Sequence, residues 1–215
     1  MKKIGFSVFV ILAVLLLPLG LHAQNVTARG NFLIGSALGF SSNTSTRTQG
    51  GSAEEGLESF QWNLAPHVGY FLFDNFNLGI GMDYTFSREK RAGQEDKDDD
   101  SDLLFGPFAR FYVPFGGDMA VFLEGNFGFG TSSDDIILNG EAQSISTDII
   151  AYGIGPGFTI FSNNNIGLET AFKYNFARSR FNTVVNNVTT ETITKTNQFA
   201  VSLGIQFYFG GLRRI

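Results

Sequence analysis

Six ionisable residues fall at positions where an alternating chain would turn them to one side: His67, Asp83, Arg110, Glu124, Glu169 and Lys173. An Asp–His pair is a unit of hydrolytic catalysis, and a set of opposed charges can line an ion path. Counting back from the intervening turns sets His67 near Asp83 and Arg110 near Glu124, while Glu169 and Lys173 stand two inward positions apart on one strand. The same residues also suit a structural purpose. Charges withdrawn from water need partners, and cross-strand ion pairs pin a sheet in register. The structural reading is preferred: a lumenal polar network with no catalytic residue, no metal and no cofactor. The acidic run Glu95-Asp96-Lys97-Asp98-Asp99-Asp100 supplies oxygens of the kind calcium takes, but it lacks the glycine and distal glutamate of an EF-hand loop and reads as solvated.

The elements that position these residues follow from a period of two. In the last apolar stretch Phe199, Val201, Leu203, Ile205, Phe207 and Phe209 alternate with Gln198, Ala200, Ser202, Gly204, Gln206 and Tyr208. One face is apolar and the other small or polar. Extending this reading places eight strands at about 30–41, 57–72, 77–88, 102–115, 119–132, 147–161, 165–178 and 197–209. Asp74-Asn75, Gly116-Gly117-Asp118 and Ser162 to Asn165 read as tight turns. The other connections, 42–56, 89–101, 133–146 and 179–196, are long and polar. Short and long connections alternate strictly.

A soluble sandwich needs no such alternation of loop length, whereas a transmembrane barrel has short turns at one end, long loops at the other and an apolar band on lipid. The strands reach the 9–11 residues or so that a tilted crossing takes. Closure would satisfy every backbone N–H and C=O in lipid. Phe40, Trp62 and Tyr84 towards the long loops, and Tyr70, Phe115, Phe158, Phe207 and Phe209 towards the turns, are expected to form two aromatic girdles. Inward glycines, Gly79 and Gly157 among them, are expected to let opposite walls approach. Pro66, Pro107 and Pro156 recur at equivalent places in three strands, where each marks either a bulge or a missing ladder bond.

The 215 residues include 24 Phe and 26 Gly but no Cys, which excludes disulfides and thiolate chemistry. Lys2-Lys3, the apolar run from Ile4 to about Leu17 and the small-residue exit at Ala23 read as a signal peptide over 1–23, leaving a single domain over 24–215. That remainder carries 13 basic and 20 acidic residues, a net −7 that disfavours nucleic acid as a partner. Fourteen of the 20 acidic residues fall in or beside the long connections, which makes these the candidate contacts for an extracellular ligand.

APHVGYFLFDNFNLGIGMDYTF, GPFARFYVPFGGDMAVFLEGNFGFG, GPGFTIFSNNNIGLETAFKYNF and the closing FAVSLGIQFYF resemble the outer-membrane protein β-barrel domain family, small porin-like barrels similar to the OmpX and OmpA barrels, in the form common in Bacteroidetes-type bacteria. The resemblance implies an all-β, eight-stranded, antiparallel up-and-down transmembrane barrel in the bacterial outer membrane, monomeric and surrounded by outer-membrane lipid. The resemblance is specific for architecture rather than activity; the reading preferred from the sequence is a structural or surface-interaction role through the four long connections, not an enzyme. The alternatives are a narrow channel for ions or very small solutes and, more weakly, a lipid-modifying enzyme. One departure is a basic tail, Gly210 to Ile215, after the terminal aromatic Phe209.

Overall fold

The computed structural model describes residues 25–49, 52–55, 59–89, 98–138, 141–162, 165–185 and 188–210. The expected signal peptide, the tail beyond Gly210 and the first half of the acidic run, 95–97, lie outside them. A 3-10 turn, Asn25–Thr27, precedes nine strands: β1 (Phe32–Gln49), β2 (Ser52–Glu55), β3 (Ser59–Phe73), β4 (Phe76–Glu89), β5 (Asp98–Phe115), β6 (Met119–Leu138), β7 (Glu141–Ser162), β8 (Ile166–Val185) and β9 (Val188–Phe209). Each long strand pairs antiparallel with the next, and β1 pairs with β9 from Phe32↔Phe209 to Gln49↔Thr192, so the sheet closes. The short β2 pairs with the outer end of β1, as an outward continuation of β3. The result is the expected eight-stranded up-and-down barrel.

Strand parity decides the two faces. On β7, Ile150, Tyr152 and Ile154 are exposed while Ala151, Gly153 and Gly155 are buried, and the described residues of the other long strands repeat the pattern. Outward-facing Phe32, Ile34, Leu38, Leu64, Ile80, Leu123, Phe172 and Leu203, each more than 40% exposed, belong to an apolar band encircling the wall. A surface of that extent marks a membrane rather than water. Among the described residues no helix is long and apolar enough to cross a membrane, so crossing falls to the strands.

The aromatics expected to form girdles follow ladder rows. Phe40 pairs with Trp62, and the Trp62 and Phe86 rings lie 5.6 Å apart. At the other end Phe32 pairs with Tyr70 and with Phe209, with Phe32 and Tyr70 rings 5.0 Å apart, and Phe115 meets Phe158 at 5.9 Å. Phe32 and Phe40 are eight residues apart on β1. That is about 26 Å of strand, or about 20 Å of height at a tilt of about 40°, close to the band of roughly 25 Å that such barrels present.

The long connections differ from expectation. β6–β7 pairing runs out to Leu138↔Glu141 and β8–β9 pairing to Val185↔Val188, so most of 133–146 and 179–196 is ladder rather than loop. Outside the membrane both faces meet water. The apolar alternation that betrays a strand in the sequence therefore fades while the hydrogen bonds continue. Between these two ribbons, the β7–β8 ladder of the described residues ends at Asp148↔Arg180.

The three prolines are missing ladder bonds, not bulges. Pairing of β3 with β4 lapses between Leu64↔Tyr84 and His67↔Gly81, of β5 with β6 between Phe105↔Phe129 and Phe108↔Asn126, and of β7 with β8 between Ile154↔Tyr174 and Gly157↔Ala171. In each case the register is the same on both sides of the gap. The opposite edge stays paired, Pro66 with Ser36, Pro107 with Ile80 and Pro156 with Leu123. Proline's missing N–H is thus turned to one edge at all three sites.

Candidate functional site

The barrel interior divides into a packed inner half, a layer of charges and an open outer half. In the charge layer Arg110 on β5 faces Glu124 on β6 as a direct ladder pair, and its Nε donates to Glu124 Oε2. Its NH1 crosses the lumen to Glu169 Oε2 on β8 at 2.9 Å. Lys173 Nζ gives a second bond to Glu124, at Oε1 and 3.1 Å. Glu169 Oε1 also accepts from Tyr208 OH at 3.0 Å and Thr159 Oγ1 at 3.1 Å. The Arg110 guanidinium lies 4.9 Å from the Phe122 ring and 5.3 Å from that of Phe108. Two cations and two carboxylates therefore balance, and the Arg110, Glu124 and Glu169 side chains are only 4–6% exposed. Such desolvated charges persist only with their partners in place.

Below this layer Leu33, Phe71, Tyr112 and Tyr208 are at most 1% exposed and fill the inner half. The segment before β1 seals the base. Val26 is buried in the same cluster, Thr27 Oγ1 donates to Asn75 Oδ1 at 2.6 Å, and the Arg29 amide donates to Asp74 Oδ1 at 2.8 Å. The turn that receives these bonds holds Asn75 at φ 65°, a left-handed conformation that asparagine tolerates. Above the layer lies a cavity of about 330 Å³, whose lining runs from Thr194 and Asp102 near the outer rim down to Arg110 and Glu124.

All six residues singled out from the sequence face the interior, but not all the expected pairings form. His67 faces Gly81 rather than Asp83. Its Nδ1 sits 3.1 Å from the Ala65 carbonyl, and its ring stands edge-on to Phe108 at 5.3 Å. Asp83 instead accepts from Asn63 Nδ2 at 2.8 Å and Thr85 Oγ1 at 3.1 Å. An unshifted ladder from Phe73↔Phe76 would set His67 opposite Met82, between Gly81 and Asp83, and the one-residue register shift between Phe71 and Phe73 moves its partner to Gly81, away from Asp83. The Asp–His unit is therefore not assembled. Glu169 and Lys173, expected to attract along one strand, each take a partner on another strand. Tyr112, Thr159 and Tyr208, which complete the layer, were not singled out, although parity already placed them on the inward face.

The glycines also act differently from expectation. An added Cβ on Gly157 would collide with the Phe122 ring, and one on Gly79 with the Phe108 ring. These rings come from neighbouring strands, β6 and β5, and lie across the glycines to flank Arg110. The glycines seat side chains against the wall rather than bring opposite walls together.

Residues 9–210 match the outer membrane protein beta-barrel domain family. The chain belongs to that family. No curated protein is similar enough in sequence to count as a relative. Among solved structures, the outer membrane protein OprG of Pseudomonas aeruginosa is 15% identical with a TM-score of 0.54, the match covering 86% of this chain and 98% of OprG. Neisserial surface protein A is also 15% identical, with a TM-score of 0.49 over 83% of this chain and 96% of its own. At these identities the likeness concerns the fold. As a member of the outer membrane protein beta-barrel family, the chain resides in the bacterial outer membrane. Outer-membrane barrels in general place short turns on the periplasmic side and longer connections outside.

Proposed function

We propose that this barrel is a non-conducting surface-interaction protein, whose membrane section holds up the extracellular ribbons β6–β7 and β8–β9. The observation that carries this reading is the closed lumen. The outer cavity ends on Arg110 and Glu124, and beneath them lie Tyr112 and Tyr208, each 1% exposed. The channel alternative would require this layer to part. An enzymatic role has little support, since His67 and Asp83 are engaged separately and His67 is the only histidine beyond residue 23.

The ribbons favour interaction on their own account. Strands that continue past the lipid present backbone edges where their ladders end, as between β7 and β8 beyond Asp148↔Arg180, and such edges recruit partners. Arg180 and Glu191 pair at 3.0 Å across β8–β9 with both side chains about half exposed, which ties the ribbon together at its root.

The test has two arms. Purified barrel in planar bilayers is expected to give no reproducible conductance, and steady single-channel steps would overturn the closed-lumen reading. Cells displaying the barrel are compared with variants in which 136–143 or 183–190 is replaced by a two-residue turn. Trimming is expected to reduce adhesion to surfaces or matrix protein, and unchanged adhesion for both trims would refute the interaction role.

A further inference from the structure

Immediately above the charge layer the lumen is left open. Inward positions at that height are small, among them Ala37, Ala65, Gly81, Gly106, Gly128 and Ala151, and they surround the cavity of about 330 Å³. Below the layer the inward positions carry Phe71, Tyr112 and Tyr208. The same strands thus pack one half of the lumen tightly and keep the other half clear, although protein interiors otherwise fill such space.

Beyond Asp102 near the rim and Arg110 and Glu124 at the floor, the cavity carries Asp83 and Lys173 on opposite walls. In the closed strand order β4 and β8 are diametrically placed, with three long strands between them in each direction. On β4 the Asp83 carboxylate is held by the neutral donors Asn63 and Thr85. On β8 Lys173 gives a hydrogen bond to Glu124, and its side chain remains 18% exposed where Arg110, Glu124 and Glu169 are nearly sealed. An amide relay runs from β8 round to β3, the neighbour of β4: Asn175 Nδ2 donates to Gln198 Oε1 at 3.1 Å, and Gln198 Nε2 donates to Gln61 Oε1 at 3.2 Å.

We infer that this vestibule binds a small zwitterion, a molecule carrying an ammonium group and a carboxylate a few bonds apart. The ammonium lies against Asp83, the carboxylate takes free N–H bonds of Lys173, and the amide relay bonds the body between them. A simple cation satisfies the β4 wall and is repelled by Lys173, and a simple anion has the converse difficulty. Only the dipolar ligand complements both walls, in a cavity whose low-dielectric surroundings strengthen each interaction relative to water. The volume is near the lower end of small-molecule sites, about 300–1,000 Å³, which suits a free amino acid and excludes an oligomer. The inference stands apart from the ribbon-mediated role proposed above, because it concerns side chains within the wall.

Refolded full-length barrel in micelles, titrated with 4-aminobutyrate and followed by the NMR shifts of its Asn and Gln side-chain amides, tests it. Butylamine and butyrate serve as the single-charge probes. Saturable shifts with 4-aminobutyrate are expected, with each single-charge probe weaker by about tenfold or more, as for the loss of one hydrogen bond to a charged group. Asp83→Asn and Lys173→Gln should each weaken 4-aminobutyrate by a similar factor. Heat-shifted gel mobility verifies folding, and Gln198→Ala, expected to weaken binding, replaces either charge variant that does not fold. Absence of saturable shifts, or affinity unchanged by the substitutions, overturns the inference. Butylamine binding as tightly as 4-aminobutyrate, with Lys173→Gln silent, overturns it too and leaves a simple cation site.

Discussion

Arg110 NH1 reaches Glu169 Oε2 across the lumen at 2.9 Å, joining β5 to β8 over 59 residues of sequence. Direct ladder pairing links each strand only to its neighbours, so this bond, which skips β6 and β7, braces the barrel through its interior as the ladders cannot. Arg110 is also the shared partner of two carboxylates, which would otherwise repel each other in a dry interior.

Removing that cation should therefore be more harmful than removing either anion. Arg110→Met leaves Glu124 with Lys173 alone and Glu169 with hydroxyl donors alone, and is expected to lower stability by about 3–5 kcal/mol. Glu169→Gln keeps a polar group for Tyr208 and Thr159 and should cost less. Urea unfolding in lipid vesicles, followed by tryptophan fluorescence of Trp62, measures both. Equal, small effects would show that the layer is not a structural brace.

The closed lumen predicts how a pore can be made. Tyr112→Ala with Tyr208→Ala removes the two largest side chains beneath the charge layer, and Arg110→Ala removes the centre of that layer. In a chain that also lacks 25–28, part of the segment that seals the base, the triple variant is expected to conduct in planar bilayers, whereas the tyrosine pair alone stays closed because the Arg110 bonds persist. Conductance from the tyrosine pair would place the seal in the aromatics instead.

Gly157 and Phe122 supply a test of the wall seats. Gly157→Ala places a methyl group against the Phe122 ring and should destabilise by about 1–3 kcal/mol, the usual cost of overpacking. Combining it with Phe122→Leu should recover part of the loss, a non-additivity typical of residues in contact. Strict additivity would mean that the two do not meet.

The barrel was legible in the sequence because lipid imposes a period of two on every crossing strand, and Phe199 to Phe209 alone displays it. Inward-facing site residues were legible for the same reason, and Arg110–Glu124 was placed correctly because the Gly116 to Asp118 turn feeds an unshifted ladder. The partner of His67 was not legible because the unshifted ladder sets it opposite Met82, midway between two inward positions, and the irregularity at Phe71–Phe73 decides for Gly81 over Asp83. The reach of Arg110 to Glu169 was hidden for a deeper reason: it depends on the curvature of the closed wall, which pairwise strand counting does not contain. The outer ribbons were hidden because water on both faces removes the apolar signature while leaving the ladder.

The prolines offer the last test, since they separate a ladder gap from a register change. Pro107 sits where β5 and β6 lose pairing between Phe105↔Phe129 and Phe108↔Asn126 with no shift in register. Pro107→Ala restores an N–H at that edge without asking any strand to slide. The variant should fold with unchanged gel mobility and gain a slowly exchanging amide at position 107, with stability changed by about 1 kcal/mol or less, the scale of one net hydrogen bond. If the proline instead enforced a bulge, its removal would shift every pair beyond it, turning Arg110 away from Glu124 and costing several kcal/mol as the buried charges lost their partners. Hydrogen exchange at residue 107, together with the unfolding midpoint, distinguishes these outcomes in one preparation.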